Sequence, residues 1–526
     1  MVDKMIPTGF LEIIKQIKSN RTSSEPIGLN KKLMEHFPGK VVNKGLTKQI
    51  KVGNNVPVFV LEYVLGTACV GRSEEDFDKI EEVKSKLSKH FIRLDEAEKI
   101  KSRIRETGQY TIIDKLTVRL DEKKDTYFAS FATFGINDVE IGSCYVRDYD
   151  KLLEGGIWCK VRMGYNIESS NSPFIIQSLD PLQIPTSDVY QIIESRKHFT
   201  KNEWIDILIR SVGLEPAKLP YSVKWHILER LVPYVENNYN LCELGPRSTG
   251  KSYIYKEISS NSVLVSGGQT TVSNLYYNMA THKHGLVGLW DVVAFDEVAG
   301  INFKDKDLTQ IMKDYMASGS FSRGKEVITA VASLVMVGNI NSRVEDIIQT
   351  SNLFAPFPKE INNDTAFFDR IHYYIPGWEV PKFRPYHFTE GYGFMVDYVS
   401  EYFREMRKRS FSDYLSQYFW LGDTLNQRDV QAVKKTFSGL MKLIYPDENI
   451  TKDEAREILE YALVGRRRVK EQLKIIGGDE FKDVNFYYTD NGSRRKHAVN
   501  VPESRKTTQK VKKFTNIKNY LHIKGA

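Results

Sequence analysis

The chain has 526 residues, 41% hydrophobic and 12% aromatic, so it can bury sizeable cores and is predicted to form roughly two to four domains. Its formal net charge of +8 suits a polyanionic partner, but a solvated surface with a basic tail explains the charge equally well. The four cysteines lack zinc-ligand spacing, and no apolar run is long enough to span a membrane. We therefore expect a cytoplasmic protein without a secretory leader.

Residues 1–109 are predicted to be mostly helical. Residues 58–70 are apolar and suit one buried helix. Between residues 73 and 107, apolar side chains recur every three or four positions, which predicts a single amphipathic helix capped by Ser73.

The hydrophobic period changes near Tyr110. Short apolar or alternating runs follow at residues 110–113, 116–120, 127–134, 139–146, 157–163 and 174–179, with Gly, Asp and Asn between them. These runs predict a small β-rich domain over residues 110–189. It is a barrel or a sandwich, and an OB-like barrel is one candidate.

From residue 190 onward, helices and strands alternate, which is typical of a parallel sheet. Strands are predicted at residues 241–244, 263–265, 291–295 and 334–337, and helices at 222–237 and 252–259. We assign residues 190–385 to an α/β core. Residues 395–475 show helical periodicity without a strand signal, and residues 386–476 are assigned to a helical lid. Residues 477–526 are assigned to a polar linker and a basic C-terminal tail.

A complete GxxxxGK[ST] sequence lies between a predicted strand and a predicted helix, which indicates a P-loop. Backbone N–H groups of such a loop cradle phosphates, Lys251 reaches the β- and γ-phosphates, and the Ser252 hydroxyl binds Mg²⁺. A chance match is the alternative, at roughly a few per cent for a chain of this length. ATP and Mg²⁺ are the expected ligands, and the predicted binding residues are Gly245, Pro246, Arg247, Ser248, Thr249, Gly250, Lys251 and Ser252.

Two acids, Asp296 and Glu297, end a second apolar strand. Asp296 is expected to hold Mg²⁺, and Glu297 is expected to polarise the attacking water. The alternative is a buried strand that ends in a solvated acidic turn. Because one strand and one helix separate these acids from Lys251, we favour the catalytic interpretation.

Asn339 ends the strand at residues 333–339 and is predicted to position water between the acids and the γ-phosphate; an ordinary Gly-Asn turn is the alternative. Arg370 follows later in the chain, where an AAA+ protein has an arginine finger that acts on a neighbouring subunit. A surface salt bridge with Asp369 or Asp364 is the alternative. A ring is required if the finger interpretation is right.

The lid contains candidates for a second sensor arginine. Arg428 begins a helical stretch and fits this role, but a solvated basic helix face explains it equally well. Its competitors are Arg466, Arg467 and Arg468. The motifs together predict a multidomain α/β fold: an AAA+ P-loop core with a helical lid, preceded by a helical N-terminal region and a small OB-like β domain.

Longer segments carry a further signal, at residues 37–42, 55–63, 95–99, 155–159, 245–252, 295–297 and 465–473. On these segments the chain, to about residue 503, resembles the BrxL family, the Lon-like AAA+ proteins of BREX phage-defence systems. The resemblance implies a core similar to MCM helicases, an N-terminal DNA-binding part, and hexamers that can stack into a double ring around double-stranded DNA. The resemblance makes other BREX components possible partners, and no membrane association is expected.

Family members usually continue into a Lon-type domain with a Ser–Lys pair. Here only a lysine-rich stretch follows Glu503, so we expect a chain without peptidase activity, either a naturally short form or a truncated one.

Ring translocases grip DNA with a loop that precedes the sensor strand, and here that segment offers Arg323 and Lys325. An ordinary hairpin with exposed charges is the alternative. Weaker candidates in the N-terminal region are Lys40, Lys44, Lys48 and Lys51.

The leading hypothesis is an antiviral ATPase that encircles or moves along duplex DNA. One alternative is an ATP-dependent protein unfoldase associated with Lon-like proteolysis, for which Phe321 offers an aromatic pore residue. The other is a DNA-binding scaffold that uses ATP only to assemble.

Overall fold

The structure is a computed structural model. It describes residues 27–51, 56–68, 81–149 except 82, 86 and 88, then 151–167, 172–183, 189–268, 271–301, 306–323, 326–482 and 485–503. Within these ranges no helix combines the length and apolarity that a membrane crossing requires.

The described part of the N-terminal region is mostly helical. In chain order it contains α1 (Ile27–His36), β1 (Val41–Asn43), α2 (Lys44–Lys51), α3 (Val58–Ala68) and α4 (Ala97–Thr107). The single helix predicted over residues 73–107 is wrong, because the chain leaves the helix at Phe91 and α4 begins only at Ala97. Phe91 bridges to Ile113 of the next domain, so tertiary pairing overrides the helical period. The predicted cap at Ser73 lies outside the described residues.

Residues 109–181 form the predicted β-rich domain. Its elements are β2 (Gln109–Asp121), β3 (Thr126–Phe131), β4 (Val139–Ile141), α5 (Ser143–Asp148), α6 (Lys151–Glu154), β5 (Ile157–Tyr165) and β6 (Phe174–Pro181). The strands pair antiparallel in the order β4-β3-β2-β5-β6. Two predicted runs merge into β2, and the run at residues 139–146 ends early because a helix begins at Ser143.

The α/β core follows. Its first elements are α7 (Val189–Arg196), α8 (Lys201–Ser211), α9 (Tyr221–Val235), β7 (Asn240–Gly245), α10 (Lys251–Glu257), β8 (Ser262–Gly268), α11 (Val272–Leu275), β9 (Tyr277–Asn278), β10 (Lys283–His284) and α12 (Leu286–Leu289). The core continues with β11 (Val292–Ile301), α13 (Lys306–Ser318), β12 (Ser320–Arg323), β13 (Glu326–Thr329), β14 (Ser333–Asn339), α14 (Val344–Thr350), α15 (Thr365–Phe368) and β15 (Tyr373–Pro376).

A five-stranded parallel sheet organises this core, with the order β15-β7-β14-β11-β8. Side chains alternate between its faces: Leu241 and Ala294 join one buried cluster, whereas Cys242 and Val293 join the other. The sheet is therefore covered on both faces. The sequence analysis did not predict β15, which forms a fifth strand beside β7.

The lid region is helical but not free of strands. It contains β16 (Tyr392–Phe394), α16 (Val396–Met406), α17 (Asp413–Tyr418), β17 (Phe419–Leu421), α18 (Gln427–Ile444) and α19 (Lys452–Ile476), followed by β18 (Tyr487–Asp490) and β19 (Lys496–Ala498). The expectation of no strand is wrong, since β17 pairs with β18, and β16 pairs with β1 of the N-terminal region.

The segment after residue 477 is not simply a polar linker. The described residues 485–503 pack onto the lid, where Tyr488 and Val501 are buried. The buried Glu503 carboxylate accepts a hydrogen bond from Arg468 Nε at 3.1 Å. Buried pairing of this kind leaves little trace in composition, which is why the sequence suggested a linker.

Candidate functional site

The predicted P-loop joins the carboxyl end of β7 to the amino end of α10. Ser248 and Gly250 have positive φ angles of 67° and 75°, which turn the backbone around the loop. A Cβ added at Gly245 would lie 2.4 Å from the carbonyl carbon of Gly377, so the loop entrance requires a residue without a side chain. The local backbone therefore has the shape that an anion-binding loop needs.

Lys251 points into this loop. Its ammonium donates to the carbonyl oxygens of Pro246 at 2.7 Å and Gly245 at 3.1 Å, and it lies 3.4 Å from Thr249 Oγ1. Burial lowers the pKa of Lys251, while the nearby carboxylates Glu243 and Asp296 oppose that shift. A cation thus lies at the mouth of the loop and close enough to Asp296 to interact with it.

The two predicted acids lie within β11, directly after Phe295, the last residue of this strand that pairs with β14. Asp296 is half-buried, and its Oδ1 accepts a hydrogen bond from the Glu297 amide at 3.0 Å. Glu297 is exposed and has a φ of 52°, a conformation that side-chain-bearing residues rarely adopt. Strained backbone of this kind clusters at functional sites.

Asn339 ends β14, the strand between the P-loop strand and the acid-bearing strand. It pairs in register with Gly245, and the amide of Ile340 donates to the Gly245 carbonyl at 3.1 Å. Adjacent strands lie about 4.8 Å apart, so the Asn339 position lies beside the loop entrance. The parallel sheet therefore brings the loop, the two acids and Asn339 to one edge.

A buried ion pair, which the sequence analysis missed, contacts the P-loop from the side of α9 and β7. Arg230 of α9 donates to both carboxylate oxygens of Glu243 at 2.8 and 2.6 Å, and its Nη1 donates to the Thr249 carbonyl at 2.9 Å. Both side chains are fully buried. Arg230 thus connects the helix, the strand and the loop. The only sequence signal was a charged residue within an otherwise apolar strand.

An apolar pocket of about 530 Å³ lies beside the P-loop and was also missed. Ser248 and Gly250 form its loop side, and its hydrophobic wall consists of Val212, Leu214, Tyr253, Ile254, Phe383 and Phe388. Because these residues come from distant parts of the chain, no local motif marks the pocket. Its size and apolar lining suit a planar base next to bound phosphates.

Arg370 does not join this edge of the sheet within one chain. Its carbonyl accepts from Asn240 Nδ2 at 2.9 Å, and Asn240 begins β7 whereas Gly245 ends it. The two ends of this strand lie roughly 17 Å apart at about 3.3 Å per residue.

Among the described residues the Arg370 guanidinium forms no direct ion pair, although the carboxylates of Asp314, Asp364 and Asp369 act on it electrostatically. Asp364 pairs instead with Lys313 at 2.9 Å, and Asp369 pairs with Arg428 and Arg466 at 2.7 Å each. A direct salt bridge from Arg370 to Asp369 or Asp364 is therefore not formed, and the finger interpretation stays a prediction.

The lid arginines differ in exposure. The Arg428 side chain remains 49% exposed beside Arg370. Arg466 is buried between Asp369 and Asp429, and Arg468 is buried against Glu503. Of the four candidate arginines, the paired residues Arg466 and Arg468 are buried, whereas Arg428 stays half-exposed while it pairs with Asp369 at 2.7 Å.

The predicted DNA-contacting segment forms the hairpin β12–β13. Arg323 ends β12, and Lys325 lies outside the described residues. Phe321 is buried and contacts Tyr276 edge-on at 4.8 Å, so it is not available as an aromatic pore residue. Tyr276 precedes a second hairpin, β9–β10, whose Lys283 is exposed. Two hairpins therefore lie side by side, where the sequence indicated one.

Lys44, one of the weaker N-terminal candidates, is not a DNA contact. Its ammonium is buried and binds Glu62 Oε1 at 2.7 Å. Lys40 and Lys48 lie over the rings of Tyr398 and Phe388. Lys40 and Lys48 therefore connect the N-terminal region to the lid region.

Comparison with known proteins agrees with the resemblance. Residues 174–487 match the family described as "Lon-like protease BrxL-like, ATPase domain", and residues 35–165 match "BREX system Lon protease-like protein BrxL N-terminal". The chain is 61% identical over 479 residues to the Lon-like protease BrxL of Bacillus cereus (strain H3081.97), covering 90% of this chain and 71% of that protein. It is 55% identical over 493 residues to the Lon-like protease BrxL of Escherichia coli O9:H4 (strain HS), covering 93% and 71%. The chain therefore belongs to the BrxL family and carries its ATPase domain.

Proposed function

We propose that this protein is an ATPase of BREX-type antiviral defence that encircles double-stranded DNA as a hexameric ring and couples hydrolysis to DNA engagement or translocation. The convergence of Lys251, Asp296 and Asn339 at one edge of a parallel sheet carries the hydrolytic part of this proposal. Membership of the BrxL family supports the defence role.

The residues at this edge fit ATP and Mg²⁺. The loop turns around a cation already held by carbonyl oxygens, the hard-donor groups Ser252 and Asp296 suit Mg²⁺, and the apolar pocket suits a base. When bound, Mg²⁺ neutralises charge on the β- and γ-phosphates. Lys251 binds the same phosphates, Glu297 accepts a proton from the attacking water, and Asn339 orients that water.

Arg370 acts in trans in this proposal. It lies at the amino edge of the sheet without a direct ion pair among the described residues, and Arg428 lies beside it. A ring places that face of one subunit against the P-loop edge of the next. Arg370 and Arg428 of one subunit then reach the nucleotide bound in the P-loop of the neighbouring subunit.

The two hairpins support the DNA part of the proposal. They lie side by side, and they carry the exposed Lys283 and the partly exposed Arg323, which suits contact with the phosphate backbone. The β domain has the strand order β4-β3-β2-β5-β6, which suits an OB-like barrel, a fold that often binds nucleic acid. We propose that this domain contributes to DNA binding, and that a double hexamer is the assembled form.

Protein unfolding is the alternative function. One observation favours it: Val327 on β13 and Met279 near the tip of β9–β10 are exposed apolar side chains, 72% and 44% accessible. Such side chains can grip an unfolded polypeptide in a pore. Phe321 no longer supports this alternative, because it is buried.

Steady-state ATPase rates with duplex DNA, single-stranded DNA and an unfolded protein separate the two functions. We expect duplex DNA to give the largest stimulation, and Arg323→Glu to remove it without lowering the basal rate. An exposed-charge control outside the hairpins and the β domain, Lys359→Glu, retains the stimulation. Stimulation by unfolded protein alone would overturn the DNA proposal.

A further inference from the structure

A second cavity, of about 670 Å³, lies between the β domain and the α/β core, away from the nucleotide edge of the sheet. Lys115 of β2 and Trp158 of β5 contribute from the β domain, while Asn261 and Trp290 contribute from the core. Its volume is within the range of roughly 300–1,000 Å³ that small-molecule sites occupy. The cavity plays no part in the nucleotide chemistry described above.

The cavity is positively charged. Four cationic side chains line it against two carboxylates, and one of those carboxylates, Glu401, already binds Lys151 at 2.8 Å. Lys115 has no carboxylate partner among the described residues, although burial lowers the pKa of its ammonium. A half-buried cation without an acid favours an anionic occupant.

The same cavity contains aromatic rings and a hydrogen-bond donor that has no acceptor among the described residues. Trp290 lies under the Lys115 ammonium, with 5.7 Å between the Nζ atom and the ring centre, and Trp158 stacks on Phe91. The buried Asn261 Nδ2 finds no acceptor among the described residues. Asn261 is held in place, because its carbonyl accepts from the amides of Asp291 and Val292. Aromatic rings suit a planar ligand, and the amide suits an acceptor on it.

We propose that this cavity binds a nucleoside monophosphate, with its phosphate at Lys115 and its base against the tryptophan side of the cavity. The occupant also contacts residues 256–262, the connection that leads from α10, the P-loop helix, to β8. Binding there links the β domain to the helix that holds Lys251. The effect on hydrolysis rests on the proposed ATPase function, whereas the binding itself does not.

Binding is tested by calorimetric titration of AMP into the Lys251→Ala chain, in which P-loop binding is disabled. We expect one site per chain that weakens at least tenfold in Lys115→Met and in Asn261→Asp, which places a negative charge where the donor was. Lys123→Met, which removes an exposed lysine outside the cavity, leaves the affinity unchanged. Adenosine and inorganic phosphate, which carry only half of the recognised chemistry each, bind at least tenfold more weakly than AMP.

Absence of AMP binding in the Lys251→Ala chain overturns the proposal, as does equal affinity in Lys115→Met or equal affinity for phosphate alone. In the chain with an intact P-loop, AMP is expected to change the ATPase rate at least twofold, and Lys115→Met removes that response. Because the titration does not depend on hydrolysis, loss of the ATPase function and loss of the cavity's ligand are distinguishable.

Discussion

At the residue scale, Glu297 combines strain with exposure. Its φ of 52° costs on the order of 1–3 kcal/mol for a residue with a side chain, and it persists because β11 is fixed by its neighbours on both sides. This conformation comes immediately after Asp296, where the pairing of β11 with β8 changes register. An acid held in this way is suited to act on a ligand at the sheet edge.

Glu297→Gln is expected to retain ATP binding and to lower the steady-state ATPase rate about a hundredfold or more, because the amide does not accept a proton from water. Rates are measured together with nucleotide affinity. Glu345→Gln, an exposed acid on α14, is the control and retains the parent rate. A normal rate in Glu297→Gln excludes this residue as the base.

Arg230 and Glu243 form a fully buried pair, so removing one partner leaves an uncompensated charge. Arg230→Met is expected to lower the free energy of unfolding by about 3–5 kcal/mol. The double variant Arg230→Met/Glu243→Met recovers most of that loss, because no buried charge remains. Urea denaturation of the two single variants and the double variant measures the coupling. Additive losses contradict the proposed pairing.

At the element scale, a buried charge network joins α9, the segment after β15, and α19. His226 of α9 lies between Glu229 and Glu379 at 2.9 and 3.0 Å, and Arg468 of α19 lies 3.6 Å from Glu379. Burial acts to lower the pKa of His226, but its two carboxylate partners outweigh this and raise it to about 9. The protonated imidazole therefore stabilises the contact between these elements.

Stability is expected to depend on pH through His226. Its pKa is higher in the folded than in the unfolded chain, so its contribution is complete below about pH 6.5 and is lost as the pH rises through about 9. The loss is on the order of 3 kcal/mol, since one pKa unit corresponds to about 1.4 kcal/mol. Unfolding free energies at pH 6 and pH 9 measure it. The slope disappears in His226→Gln and persists in His198→Gln, which changes an exposed histidine.

At the scale of the whole molecule, the nucleotide edge and the Arg370 face lie at opposite ends of the parallel sheet. One chain therefore carries two incomplete halves of the proposed catalytic site. The pairing of β1 with β16 fixes the N-terminal region to the core, and β17 with β18 fixes the segment after α19 to the lid. This arrangement suits a rigid subunit that completes its site by assembly.

Mixing two inactive variants tests that arrangement. Arg370→Ala lacks the finger but keeps its P-loop, whereas Lys251→Ala keeps the finger but lacks nucleotide binding. Each alone is expected to hydrolyse ATP at least tenfold more slowly than the parent. Mixed rings regain part of the activity, because Arg370 of one subunit reaches the intact P-loop of the next. No recovery in mixtures that assemble into rings contradicts action in trans.

Local sequence was sufficient for the chemistry at the carboxyl ends of the strands. The glycine-rich loop, the paired acids and Asn339 each end a short apolar run, and the P-loop conformation depends on residues adjacent in the chain. The strands β7, β8, β11 and β14 were predictable for the same reason. Helical periodicity, in contrast, was misleading at residues 91–93, where pairing between Phe91 and Ile113 competes with the helix.

Only the tertiary structure decided which charged residues are buried and which remain available. Arg428 and Arg466 look alike in sequence, yet one is half-exposed and the other is enclosed by two carboxylates. The sequence suggested that Lys44 is a surface cation, whereas in the structure it is buried and paired with Glu62. These outcomes depend on contacts between residues far apart in the chain. Such contacts determine whether a charged side chain is desolvated inside the protein or stays at the surface, where it can bind a partner. The sequence by itself was enough to predict the nucleotide-binding residues. Only the folded structure shows which surfaces of the protein present charged residues to a partner.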